Sequence, residues 1–277
     1  MGGVEIKYVE IQLNQFVRNL LSSGIPDNEY FIHEYRIAAK RIQTIIRLIQ
    51  RPGADNRYGK HPGYRQIRRA FKRGGEFRET AINLALLDRT EAHLNYRFRS
   101  FRKFLREKIK KAGKKHEKFL ARFPKKSYDN LKKRIREDFK KLSPGMIDSV
   151  TEDLMQSSVY RIRELITANE LSKRLHQARK IIKDIKYVFE LRSLKVKKFG
   201  NTRITLQQIT VLEDHIGLWH DWLVFQQNLS AFLCEMRKEQ LRDIRIAGLH
   251  ALIHRTLGSV QKEICGEISR KFGRDEF

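Results

Sequence analysis

One spacing occurs twice in this chain and constrains its fold more than any other feature. His33-x-x-Arg36-x-x-x-Lys40 is followed by Gly75-x-x-Arg78-Glu79, and His176-x-x-Arg179-x-x-x-Lys183 is followed by Gly217-x-x-His220-Asp221. The interval from His to Gly is 42 residues in the first copy and 41 in the second. Steps of three and four residues put the His, Arg and Lys of each copy on one side of a helix. The pattern therefore predicts a duplicated helical unit, each copy carrying a basic face.

The rest of the chain agrees. Only 5 prolines and 16 glycines interrupt 277 residues, and nearly every segment places apolar residues with a 3.6 period. Helices are expected over 9–22, 29–50, 63–73, 77–112, 114–122 and 127–142, with a weak point near residue 90. A second series follows over 147–167, 170–194, 205–216, 218–237 and 240–272. The punctuation comes from Ser23-Gly24 with Pro26 beyond, the loop Arg51 to Asn56, Gly74-Gly75, Pro124, the turn Ser143-Pro144-Gly145, and a loop over 195–203. No segment alternates with period two, so no sheet is expected. The predicted fold is all-α: one domain over 1–277, made of two pseudo-symmetric repeats of antiparallel helices, 9–142 and 147–272, each like a four-helix bundle. Gly75 and Gly217 are each expected to open a helix, whose N-terminal amides attract anions; a plain helix stop is the competing reading of both.

Charge narrows the function. Lys plus Arg number 58 against 32 Asp plus Glu, a formal net charge of +26. Such an excess repels itself unless an anionic partner offsets it. The candidates are nucleic acid, an anionic membrane or another polyanion. No apolar run is long enough to cross a bilayer, and Glu5 and Glu10 fall where a secretory signal needs apolar residues. A soluble cytoplasmic protein is expected. Cys234 and Cys265 lie in apolar helical stretches and are expected to be buried free thiols.

Three basic rows emerge on helical wheels. His33, Arg36, Lys40, Gln43, Arg47 and Arg51 fall within an arc of about 80°, opposite Tyr35, Ile42, Ile45, Ile46 and Ile49. His176, Arg179, Lys183, Lys186 and Glu190 share an arc opposite Ala178, Ile181, Ile182, Ile185 and Phe189. Arg99, Lys103, Arg106 and Lys110 lie opposite Phe98, Phe101, Leu105 and Ile109. A solvated helix face usually mixes signs, because like charges at i,i+4 cost roughly 0.2–0.5 kcal/mol per pair. The first and third rows hold no carboxylate and the second only Glu190. Arg supplies a planar fork for paired oxygens, Lys a point charge, and His a charge that an adjacent phosphate switches on. The aromatics Phe98, Phe101 and Phe189 sit on apolar faces, and only Tyr187 stands beside a basic row. Base stacking is therefore not served. A membrane-surface helix would need its apolar face exposed, whereas these faces are needed for the core. A phosphate chain without bases fits best, and a nucleic-acid backbone comes second.

The repeated motif resembles the CHAD domain, a histidine-containing α-helical family. The matching segments are His33-Glu34-Tyr35-Arg36-Ile37-Ala38-Ala39-Lys40-Arg41, Leu175-His176-Gln177-Ala178-Arg179-Lys180-Ile181-Ile182-Lys183, and Ile216-Gly217-Leu218-Trp219-His220-Asp221-Trp222. The resemblance extends from about residue 10 to 270. It implies two helical bundles around a basic central channel that binds inorganic polyphosphate without catalysis. The implied lining is His33, Arg36, Lys40, Arg41, Arg78, His176, Arg179, Lys183, Lys186 and His220, to which the wheels add Arg47, Arg99 and Lys103. The first copy departs from the family at Glu79, where Asp is usual, and at Gln43, where a basic residue is common. The half with His176 and His220 is thus expected to dominate binding. Within the cytoplasm, such a ligand makes polyphosphate granules a candidate location.

Enzymatic readings find little support. CHAD relatives are often fused to a triphosphatase module with a Glu-x-Glu-x-Lys strand, but Gly3-Val4-Glu5-Ile6-Lys7 lacks the first Glu. No phosphate-cradling Gly-rich loop is present. His250 and His254 have a zinc-compatible spacing, yet residue 251 is Ala, so the metalloprotease pattern fails. His220 and Asp221 point about 100° apart on a helix and do not form an acid–base pair. No metal, cofactor or catalytic residue is expected. A metal-dependent phosphohydrolase remains the third reading.

Overall fold

The computed structural model describes residues 2–24, 29–50, 57–199, 202–235 and 244–273. Pro26, Arg51 and the loop to Asn56 lie outside them. Among the described residues the order is α1 (Gly2–Ser22), α2 (Glu29–Gln50), α3 (Pro62–Leu94), α4 (Arg99–Ala121), α5 (Lys125–Lys140), α6 (Pro144–Thr167), α7 (Leu175–Leu191), β1 (Val196–Phe199), β2 (Thr202–Thr205), α8 (Leu206–Glu235) and α9 (Ile244–Phe272). Among the described residues the fold is all-α apart from one antiparallel hairpin that pairs Val196 with Thr205 and Phe199 with Thr202. That hairpin corrects the expectation of a loop and no sheet. Its β-prone residues flank Gly200-Asn201, a two-residue hairpin signal. Too short to alternate clearly, the strands escape a test based on periodicity.

Two compact units make up the chain. The first comprises Met1–Arg78, Lys111–Ser157 and Tyr187–Ser193, and the second Glu79–Lys110, Ser158–Lys186 and Leu194–Phe277. The division falls inside α3, α4, α6 and α7, so each unit takes residues from both sequence repeats.

In unit one, Val9, Leu13, Phe16 and Leu20 form the buried stripe of α1. They pack with Ile32, Tyr35, Ile42, Ile45 and Ile49 of α2, and with Tyr128, Leu131, Ile135 and Phe139 of α5. Burying each such side chain is worth roughly 1.5–3 kcal/mol. In unit two, Ile209, Leu212, Ile216 and Trp219 of α8 and Ile182 and Ile185 of α7 are buried. Rings of Phe101 and Phe225 (5.7 Å) and of Phe101 and Phe232 (5.2 Å) extend this core.

Local chemistry fixes the helix ends that matter for function. α3 stops at Asn95, whose φ of 47° is left-handed. The Tyr96 N–H closes the turn onto the Glu91 carbonyl at 3.1 Å. Glu91 is buried, and its Oε1 accepts the Phe98 N–H at 2.8 Å, capping the start of α4. A Thr-x-x-Gln capping box starts α8: the Gln208 N–H donates to Thr205 Oγ1 (3.1 Å) and the Thr205 N–H to Gln208 Oε1 (2.9 Å).

Several expected breaks are absent. α3 runs through Gly74-Gly75, α4 through Gly113, and α8 through Gly217. Gly74 and Gly75 serve packing instead. A Cβ at Gly74 would lie 2.7 Å from Cζ of Tyr35, and closer still to its hydroxyl, while one at Gly75 would strike the Arg36 guanidinium. The glycines let α3 approach α2. Between Pro62 and Ala121 the helix breaks at residues 95–98, later than the weak point expected near 90. Cys234 is exposed and Cys265 half-buried, correcting the expectation of buried thiols.

Candidate anion-binding site

In unit one the basic row of α2 is already engaged. Arg36 Nη1 donates to the Phe71 carbonyl, and its guanidinium stands 4.1 Å from the Phe71 ring centroid. Lys40 Nζ lies 4.5 Å from the same centroid. Arg41 Nε donates to Glu190 Oε2 at 2.8 Å, and the Tyr8 hydroxyl reaches that oxygen at 3.4 Å. Arg47 Nη2 donates to Thr44 Oγ1 at 3.2 Å. His33 and Arg78 are half-buried, on α2 and α3. Thus Glu190, which ends the second wheel row, pairs with Arg41, the residue after Lys40 on α2.

In unit two, α7 and α8 form a tighter cluster. The rings of His176 and His220 lie 5.7 Å apart between centroids. Lys183 Nζ pairs with Glu213 Oε1 at 2.8 Å, and Lys186 Nζ with Oε2 at 3.1 Å. Above Gly217, between Glu213 and His220 on the same face of α8, no atom stands within 4 Å of where a Cβ would be. Sequence reasoning missed Glu213. Its signal was the i, i+4, i+7 series Glu213-Gly217-His220, which marks a single helix face.

Protonation reflects this crowding. Burial, then Lys180 and Arg179, hold His176 below the usual histidine range. Burial and the Arg179 charge also lower Lys183, outweighing the support of Glu213. Burial works to raise the Glu213 carboxyl, yet Lys183 and Lys186 hold it down to about 2. Neighbouring positive charges thus add to burial at His176 and Lys183, even with Glu213 beside Lys183.

The third row stands apart. Arg99, Lys103, Arg106 and Lys110 line a cleft of about 920 Å³ with Tyr96 and Arg97, and none of the α7 or α8 candidates lines it. These four side chains are exposed. The nearby carboxylates Asp88 and Glu91 both converge on Arg102, Asp88 at 2.6 Å.

Phe98, Phe101, Tyr187 and Phe189 are all buried. Since neither Gly75 nor Gly217 opens a helix, neither supplies helix-terminal amides for an anion. His250 and His254 are exposed on α9. Among the described residues, no group of three or more His, Cys, Asp or Glu is placed to hold a metal ion, and no helix is long and apolar enough to cross a membrane.

A CHAD domain family profile matches residues 7–230. A solved structure with a similar fold is the CHAD domain from the plant Ricinus communis, at a TM-score of 0.68 and 12% sequence identity. The match covers 97% of this chain and 91% of that one. A search of curated protein sequences returns no match. With the family profile spanning most of its length and an all-α fold shared with a solved relative, the chain belongs to the CHAD domain family.

Proposed function

We propose that this protein binds inorganic polyphosphate without making or breaking bonds, with the α7–α8 cluster of unit two as a principal contact. One observation carries the reading. His176, Arg179, Lys180, Lys183 and Lys186 are crowded enough to work against one another's charge, and at Lys183 the carboxylate of Glu213 does not offset burial and its positive neighbours. A phosphate chain supplies the missing negative charge, while Arg179 offers a fork and the lysines point charges for its oxygens. The burial of Phe98, Phe101, Tyr187 and Phe189 favours a chain without bases over a single-stranded nucleic acid. On this reading the α2 residues His33, Arg36, Lys40, Arg41 and Arg47, with Arg78 of α3, contribute less, because Arg36, Lys40 and Arg41 are held by Phe71 and Glu190.

An anion beside His176 raises its pKa, so binding should draw in protons. Calorimetric titration of long-chain polyphosphate at about pH 6.5, near the ordinary histidine value, in buffers of different ionisation heat, measures this uptake. Net uptake that shrinks in His176→Asn supports the assignment. Binding with no proton uptake contradicts it.

A further inference from the structure

We propose that the cleft between the end of α3 and the start of α4 in unit two is a second anion site, which takes a compact inorganic oligophosphate such as tripolyphosphate. This inference goes beyond the α7–α8 reading and stands on different residues.

The charge around the cleft is unbalanced. Six cationic side chains line it, Arg97, Arg99, Arg102, Lys103, Arg106 and Lys110, against the carboxylates Asp88, Glu91 and Glu107, a formal excess of three. Asp88 and Glu91 are both committed to Arg102. Five cations therefore face Glu107. Arg99, Lys103, Arg106 and Lys110 follow one another at three- and four-residue steps, where like charges repel. They span about 16 Å of helix, from the 1.5 Å rise per residue. A single phosphate, carrying about two negative charges, leaves part of the excess unopposed. A short phosphate chain both matches the charge and follows the row.

The site is also held in shape before any ligand arrives. Buried Glu91 ties the Phe98 N–H and the Arg102 guanidinium, and Asn95 sets the turn with its left-handed backbone. A site fixed in advance loses less freedom on binding. Nucleotides are disfavoured because Tyr96, the aromatic wall, is already covered. The Arg245 guanidinium lies 4.5 Å from its centroid, and the Phe98 ring packs edge-on at 4.9 Å. A base stacking on this ring would have to compete with the Arg245 guanidinium.

The test is calorimetric titration of the whole chain with tripolyphosphate and with ATP, both without divalent metal. Lys103→Ala/Arg106→Ala is compared with Lys173→Ala/Lys262→Ala, which removes the same charge from exposed positions outside the cleft. Two lost charge-assisted contacts predict a fall in tripolyphosphate affinity on the order of a hundredfold for the first variant, and only a few-fold loss for the second. His176→Asn/Arg179→Ala should retain tripolyphosphate binding, which separates this site from the α7–α8 cluster. Equal losses in the two charge-matched variants would overturn the proposal, as would ATP binding more tightly than tripolyphosphate. Loss of tripolyphosphate binding in the α7 variant would assign the ligand to the α7–α8 cluster and overturn it too. Failure of long-chain polyphosphate to bind would count against the proposed function, while tripolyphosphate binding at the cleft would survive it.

Discussion

Glu213 holds Lys183 and Lys186 together in a partly dry site, the three side chains being 16%, 21% and 17% exposed. Glu213→Gln keeps the shape and removes the charge. The Glu213 carboxyl is held from an ordinary 4.5 down to about 2, a gap that corresponds to about 3 kcal/mol of coupling. A carboxyl depressed on folding contributes fully above its unfolded pKa and loses that contribution as pH falls through the folded one. Wild type should therefore weaken between pH 4.5 and 2, and Glu213→Gln should lack that slope. At pH 7 the variant should lose up to about 3 kcal/mol, read from urea unfolding followed by circular dichroism. It should also gain affinity for polyphosphate, since two lysines lose their internal counter-charge. Ligand at a hundred times its Kd stabilises by about 2.7 kcal/mol, enough to restore most of the loss. A variant with wild-type stability, the wild-type acid slope and unchanged affinity would refute the reasoning.

Glycines in α3 and α8 give a second test. Ala in place of Gly in a helix interior gains roughly 0.5–1 kcal/mol where there is room. Gly217→Ala, with open space above it, should be stabilised by that amount, whereas Gly74→Ala should lose about 1–2 kcal/mol through overpacking against buried Tyr35; equal unfolding midpoints would contradict the packing role. His116 is buried, hydrogen-bonds Ser23 Oγ at 2.8 Å and stacks on Tyr35, and burial lowers its pKa from 6.5 to about 4. As pH falls through 6.5 the unfolded chain takes up that proton first, so stability should drop by about 3 kcal/mol on reaching pH 4. Unfolding midpoints of His116→Gln, compared with wild type at pH 7 and pH 4.5, should show a smaller drop.

The all-α architecture was legible because burial and helical period coincide. α2, with its unbroken apolar stripe, spans 29–50 as expected. The starts of α6 and α8 are encoded by Ser143-Pro144 and Thr205-x-x-Gln208, whose side chains cap the first turns. What the sequence could not show depends on residues far away in the chain. Gly74 looks like a helix stop until Tyr35 is placed against it. Arg41 looks available until Glu190, 149 residues later, is beside it. Wheels identify which charges share a face, and so found the α4 row. They do not show which charges are already matched, and this separates the row facing the cleft from the rows held by Glu190, Phe71 and Glu213.

The most direct test of the central claim is a titration of the protein with long-chain inorganic polyphosphate and with unstructured RNA of equal total charge, each at a low and a high salt concentration. The account predicts tighter binding of polyphosphate at both, with log affinity falling steeply with log salt as counterions are released. RNA should bind more weakly because Phe98, Phe101, Tyr187 and Phe189, aromatics beside or opposite the α4 and α7 basic rows, are buried and cannot stack on bases. Equal affinity for the two polymers at both salt levels would contradict the account and make the protein a general binder of phosphate backbones.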